Sequence, residues 1–587
     1  MKLSLKPMKM RNVLFLISTV WCVISCTPKN VERVVSFDQV KISNELFYYG
    51  DEKVPYTGKC ELFYQNGKKS KELSIRNGQY DGLTIRYYEN GQKSYEANYK
   101  QGILDGKCLS WYLNGQRRIE FTYQTGKITG KYIKWDYKGN KVFEKDYQNG
   151  QKGPDKIGIN SEQDIITKRE KLIQHIWGGY GWPVNRLVDS IEAGITYTES
   201  GKTPYQCLYN ASGNLKQIDR YKIFLPNSFV SKVYHFRPIK SINKVFLYHT
   251  GHAANFHVED CMSNNDGIEP GLVIPRLLKE GYDVVVFMMP LAGNDYPTVE
   301  VGHNVGQIKF PFGTVGHNLM FDYLDHPYTY FIEDMVATVN YLVKNYKYSD
   351  YYLMGLSGGG WTTTLYAAID PRIKYSFPVA GTIPTYLRVG GSIGDAEQGY
   401  YEEYDPDGLY SIANFEELYV LGSYGDNRRQ IQVLNEFDDC CFSGITYPNW
   451  MEDVKSTMKK LGKGEYDFYF EQDTKTHKVS KIAMDVILSS IKGHKIELIN
   501  DPPVKAIVGE KYDFKPLIKS AEDCKPIQGL SYTLVVRPTW LSVDPLSGVL
   551  SGKPSLANVG DTVYSYKAVD GCGGFIIRDV RVNVGKE

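Results

Sequence analysis

The sequence predicts a multidomain chain: a β-hairpin repeat array, then a mostly parallel sheet with helices on both faces, then a small β-sandwich. Three observations predict it. Glycines recur every 24 residues between about 50 and 150. Apolar strands alternate with amphipathic helices around a strand–turn–helix centred on Ser357. Short strands with turn signals follow Asp501-Pro502-Pro503. The corresponding boundaries are 1–25, 26–50, 51–152, 153–165 (a linker), 166–496 and 498–587.

The chain has 587 residues and a net charge of +2. That length suits several domains, and the balance of charge gives no reason to expect a nucleic-acid partner. The 47 tyrosines suit half-buried strands.

Residues 1–25 have the form of a targeting segment. Lys2, Lys6, Lys9 and Arg11 precede the apolar stretch Val13 to Ile24, too short to span a bilayer comfortably. It ends in Val23-Ile24-Ser25-Cys26, which resembles the lipobox of bacterial lipoproteins. The resemblance implies cleavage before Cys26, lipidation of its thiol, and anchoring to the cell envelope. Thr27 in place of aspartate points to the outer membrane. Eight further cysteines then lie in a compartment that permits disulfides.

In the array Gly58, Gly82, Gly106 and Gly130 are one period apart, as are Gly67, Gly91, Gly115 and Gly139. Strand-like segments joined by Asn-Gly turns make each period a hairpin. The pattern resembles MORN-type repeats of bacterial secreted proteins and implies a spacer or a protein- or glycan-binding surface. Cys60 and Cys108 share a register two periods apart. Four strand spacings, roughly 19 Å, exceed disulfide reach, so these two are not expected to pair.

In the central region Lys168 to Ile173 predicts a helix, and Asp219–Leu225 with Phe229–Phe236 a hairpin. Lys244–Tyr248 and Tyr282–Met289 predict strands. Leu272–Lys279 predicts a helix, with Pro275 tolerable only in its first turn. Tyr330–Val343 carries a helical apolar stripe. Tyr351–Met354 then runs into Gly355-Leu356-Ser357-Gly358-Gly359 and the helix-like Trp361–Ile369. Glycines two before and two after Ser357 allow a sharp turn that lifts the hydroxyl above the sheet at a helix N-terminus, which marks a nucleophile. Gly390-Gly391-Ser392-Ile393-Gly394 matches the same pattern but follows no strand, and is read as loop. Glu417–Gly422, Gln430–Asn435 and Glu465–Glu471 predict further strands. Residues 292–326 and 383–412 are weakly periodic and predict lid or pocket-forming insertions.

This order resembles the α/β-hydrolase superfamily, in which nucleophile, acid and histidine follow successive strands. The resemblance implies Ser357 as nucleophile, His477 as base, and Asp438 as acid with Asp439 as second choice. Asp426 reads as a turn former. It also implies an oxyanion hole of the Gly358 N–H with one from the loop after the Lys244 strand, where His252 is the choice. His249, His252, His257, Glu259 and Asp260 offer metal-ligand chemistry, but Gly251 and Asn255 argue for a loop, and no metal or cofactor is expected. Cys440 and Cys441 look to distant partners such as Cys207 or Cys261. The expected activity is hydrolysis of carboxylic esters, carbohydrate-linked acyl esters included. The alternatives are a prolyl-oligopeptidase-type peptidase and a non-catalytic adhesin.

In the last module Pro538 to Gly552 resembles the Ig-like, cadherin-like modules of bacterial surface proteins. Cys524 and Cys572 are its only cysteines and are candidates to pair.

Overall fold

The computed structural model describes residues 33–147, 157–195, 204–252, 270–384, 397, 408–435, 438, 442, 450–471, 477–520 and 530–586, apart from gaps of up to four residues within these spans. Among them no helix is long and apolar enough to cross a membrane. Cys26, Cys261, Cys440, Cys441, Cys524, Cys572, Asp439, His257, Glu259, Asp260 and the second glycine-serine motif lie outside the described residues, as does the side chain of Cys207.

The N-terminal unit is one antiparallel sheet across the repeats, joined at its edge by a parallel strand, Val34–Ser36. Each period contributes two strands, such as Gly82–Tyr87 with Lys93–Lys100. Gly67, Gly91, Gly115 and Gly139 sit at φ of 78–90°, where an L side chain is strained, so the period of the glycines is the period of the turns. A second device repeats with them. The hydroxyls of Tyr64, Tyr88 and Tyr112 donate to the carbonyls of Tyr87, Trp111 and Trp135, at 2.5, 2.8 and 2.9 Å. Each tyrosine thus staples its own turn to the next hairpin. Cys60 and Cys108 lie four strands apart in the sheet order, and both are buried and outside any disulfide. Burial pushes the Cys108 thiol up to about 12, leaving it inert.

The central sheet has nine strands among the described residues: β1 Ser190–Glu192, β2 Gln217–Phe224, β3 Val230–Arg237, β4 Lys244–His249, β5 Asp283–Phe287, β6 Asp350–Leu356, β7 Ile373–Val379, β8 Arg429–Asn435 and β9 Glu465–Glu471. Their order is β1-β2-β3-β5-β4-β6-β7-β8-β9. The first three are antiparallel, and everything from β5 to β9 is parallel. Helices α1 Glu162–Trp177, α2 Thr314–Tyr323, α3 Thr329–Asn345, α4 Gly358–Ile369, α5 Phe415–Ser423 and α6 Lys481–Ile491 accompany the sheet. Strands β4 and β5 are buried almost throughout, which is why they read as nearly continuous apolar runs rather than alternating ones.

Two expectations need correction. Glu417–Gly422 is helical, within α5. Asn414 caps it by accepting from the Glu417 N–H at 2.8 Å, and every residue of the helix is buried, so no polar face marks it as helical in the sequence. The strand that occupies that place in the sheet is β7, hidden by Pro378 near its end. The helix containing Pro275 spans Pro270–Lys279, which puts the proline beyond the first turn. Within residues 292–326, read as an insertion, lie a hairpin (Thr298–Val301 with Gly306–Lys309) and α2.

Two arginines fasten the C-terminal ends of α4 and α5. Arg428, buried, donates to the carbonyls of Ala367 (2.7 Å), Tyr424 (2.8 Å) and Ile373 (2.8 Å). Arg169 donates to those of Ala368 (2.9 Å) and Leu421 (2.8 Å). Cations here satisfy the orphan carbonyls and oppose the negative ends of both helix dipoles.

The C-terminal unit consists of small β-sheets around a separate core that includes Leu550, Tyr564 and Val582. It touches the edge of the central sheet. Lys567, buried, donates to the Phe470 carbonyl of β9 at 2.7 Å and lies over the Tyr469 ring.

Candidate functional site

Ser357 stands between β6 and α4 with φ 59° and ψ −124°, a conformation that a non-glycine residue adopts only when its surroundings enforce it. The enforcement is visible on both sides. The Ser357 N–H donates to the Val379 carbonyl at 3.0 Å, and its own carbonyl accepts from the Trp361 N–H at 3.0 Å. A Cβ on Gly355 would lie 2.2 Å from the Gly359 carbonyl oxygen, and one on Gly359 would lie 2.2 Å from that of His249. Backbone fills both places, so the glycines flanking the serine are sterically required. Gly251, at φ 76°, is held equally tightly against the Leu356 carbonyl.

Asp438 and His477 come together beyond the carboxyl ends of β8 and β9. Asp438 Oδ2 lies 2.7 Å from His477 Nδ1, and the aspartate side chain is fully buried. A carboxylate there can only accept, so it fixes the proton on Nδ1 and leaves Nε2 as the basic nitrogen. Phe442 lies nearly parallel to the imidazole, 6.2 Å between centroids. Behind them Asn435 Nδ2 donates to the Lys478 carbonyl at 3.3 Å. Ser480 caps α6 through the Ala483 N–H (2.9 Å) while donating to Glu471 (2.8 Å). The loop carrying the histidine is therefore tied to the ends of both strands.

The loop after β4 lies against the nucleophile turn. The Thr250 N–H donates to the Phe287 carbonyl (3.0 Å) and the Gly251 N–H meets His249 Nδ1 (3.3 Å). His249 is buried, and burial, with the neighbouring His252, drives its imidazole down to about 3, so it is neutral. The His252 ring rests on Gly358, where a Cβ would lie 2.5 Å from both Cε1 and Nδ1. Its Nε2 faces His317 and Glu397. Neither of those two was singled out from the sequence. Both belong to the weakly periodic insertions, where no spacing links them to His252.

No protein-family model matches the chain, and no curated protein matches it. Solved structures it resembles include an acetyl xylan esterase from Paenibacillus sp. R4, at 13% identity over 58% of this chain and 96% of that one, TM-score 0.36. Another is acetyl xylan esterase 1 from Thermoanaerobacterium sp. JW/SL YS485, at 12% identity over 57% and 95%, TM-score 0.35. A methylesterase aligns at 13% identity over 57% and 64%, TM-score 0.37. Over about half of its length the chain is thus similar to esterases at a distance that carries no argument about chemistry, and the reading of the site rests on its own residues.

Proposed function

We propose that the chain is a serine ester hydrolase of the α/β-hydrolase type. The observation that carries the reading is the 2.7 Å bond between buried Asp438 and His477 Nδ1, in a sheet whose nearby strand β6 ends in a serine held at positive φ. In this reading His477 Nε2 takes the proton of Ser357 as the hydroxyl attacks an ester carbonyl, and Asp438 stabilises the imidazolium that forms. The tetrahedral oxyanion is met by the Gly358 N–H at the start of α4. The His252 N–H is the second donor, since the Thr250 and Gly251 N–H groups are engaged elsewhere. His477 then gives its proton to the leaving alcohol, and water releases the acyl group by the reverse sequence.

A fluorophosphonate probe tests the nucleophile. Labelling of the full chain is expected, and Ser357→Ala should abolish both labelling and hydrolysis of a panel of p-nitrophenyl and sugar acyl esters. Absence of labelling on folded protein would favour the adhesin reading instead. Activity confined to peptides would favour the peptidase. We further propose lipidation at Cys26, with placement in the cell envelope. Incorporation of labelled fatty acid, lost in Cys26→Ala, is the corresponding check.

A further inference from the structure

We propose that His252, His317 and Glu397 hold a divalent transition-metal ion, zinc by preference, against the turn that carries Ser357. The three donors come from separate parts of the chain: the loop after β4, helix α2, and a position between β7 and α5. His252 Nε2 lies 3.3 Å from His317 Nδ1 and 3.0 Å from Glu397 Oε1, and His317 Nδ1 lies 3.5 Å from Glu397 Oε2. A tetrahedral zinc with bonds of about 2.0–2.2 Å sets its ligand atoms about 3.3–3.5 Å apart. The two imidazole nitrogens and the carboxylate stand at separations near those such an ion requires, with Oε1 nearest His252 and Oε2 nearest His317.

Two further observations point to a cation. His317 Nε2 lies 3.1 Å from the Pro290 carbonyl, which can only accept. The proton is therefore on Nε2, and the Nδ1 lone pair points at Glu397. This is the outer-shell arrangement that orients a metal-binding histidine. Left without a cation, that lone pair would face a carboxylate. The Glu397 side chain is fully buried, and among the described residues neither of its oxygens has a well-aligned hydrogen bond. A buried carboxylate in that condition is costly unless a cation meets it.

Three protein donors leave a fourth position for water, as in zinc sites that are not fully closed. The consequence for the chain is positional. An ion would pin the His252 ring, and that ring packs on Gly358. It would also fasten α2, which carries His317, to the loop after β4.

The test uses the full chain, stripped with chelator and titrated with zinc chloride, with bound metal counted by elemental analysis and affinity measured by calorimetry. One zinc per chain is expected, bound more than roughly tenfold more weakly in Glu397→Gln and in His317→Gln. Cobalt replacing zinc should give the visible absorption of a four-coordinate nitrogen–oxygen site, a readout on the unaltered protein that does not depend on how the variants fold. Failure of the unaltered chain to retain zinc, undiminished affinity in both folded variants, or a thiolate-to-cobalt charge-transfer band would each overturn the proposal. Because the readout is metal, the result is independent of whether the chain hydrolyses esters.

Discussion

At the scale of single residues, Asp438 and its neighbour Asp439 differ in what their loss should do. Asp438 is buried and bonded to His477 Nδ1. Replacing it by asparagine would present an amide N–H to that nitrogen and favour the wrong tautomer. In the proposed triad, Asp438→Asn should lower kcat by roughly 10⁴-fold with little change in KM. Asp439→Asn should do far less, and steady-state kinetics on both variants separates them. The pairing of the histidine with one particular aspartate was beyond what the sequence could decide, because both follow β8 by almost the same number of bonds. The glycines around Ser357 were legible for the opposite reason. A backbone this crowded admits one residue type, so the constraint is written directly into the sequence.

Helix α3 carries a titratable group that a sequence reading passes over. Asp334 is buried, and burial pushes its carboxyl up to about 7, against the bond it accepts from Ser231 Oγ at 2.6 Å on β3. Folded protein therefore holds this proton between about pH 4 and 7, whereas the unfolded chain has released it. Stability from this group is present at low pH and falls as pH rises through that window. Asp334→Asn keeps the hydrogen-bonding shape without the charge. It should be close to neutral at pH 4 and stabilising by about 1–4 kcal/mol at pH 8, read from denaturant melts at the two values. The hairpin of β2 and β3 was legible because buried residues alternate along it with more exposed ones. Helix α5 and strand β7 were not. The first is buried all round and the second contains Pro378, so the signals that separate helix from strand cancel. His317 and Glu397 escaped notice because a cluster assembled from three remote segments leaves no spacing to read.

The units of the molecule are joined by apolar, aromatic and polar contacts. Arg118, on the repeat strand Arg117–Gln124, meets Asp322 at the end of α2 at 2.7 Å, and both side chains are almost entirely buried. Removing one member strands a charge in the interface, so Arg118→Ala should destabilise the chain by about 3–5 kcal/mol. The double variant Arg118→Ala, Asp322→Ala should lose less than the sum of the single changes, measured as a double-mutant cycle. At the other end, Lys567 occupies a carbonyl on the outermost strand of the central sheet, and so blunts an edge that would otherwise be open to a neighbour's strand. The tyrosine staples have the last consequence. Each joins a turn to the hairpin that follows, and the contacts of Tyr112 and Arg118 with α2 are made from the third period. Whole periods placed ahead of Tyr88 would therefore lengthen the arm by about 10 Å apiece while leaving the docking untouched. The array behaves as a ruler graduated in pairs of strands, and evolution could set its reach by duplication alone.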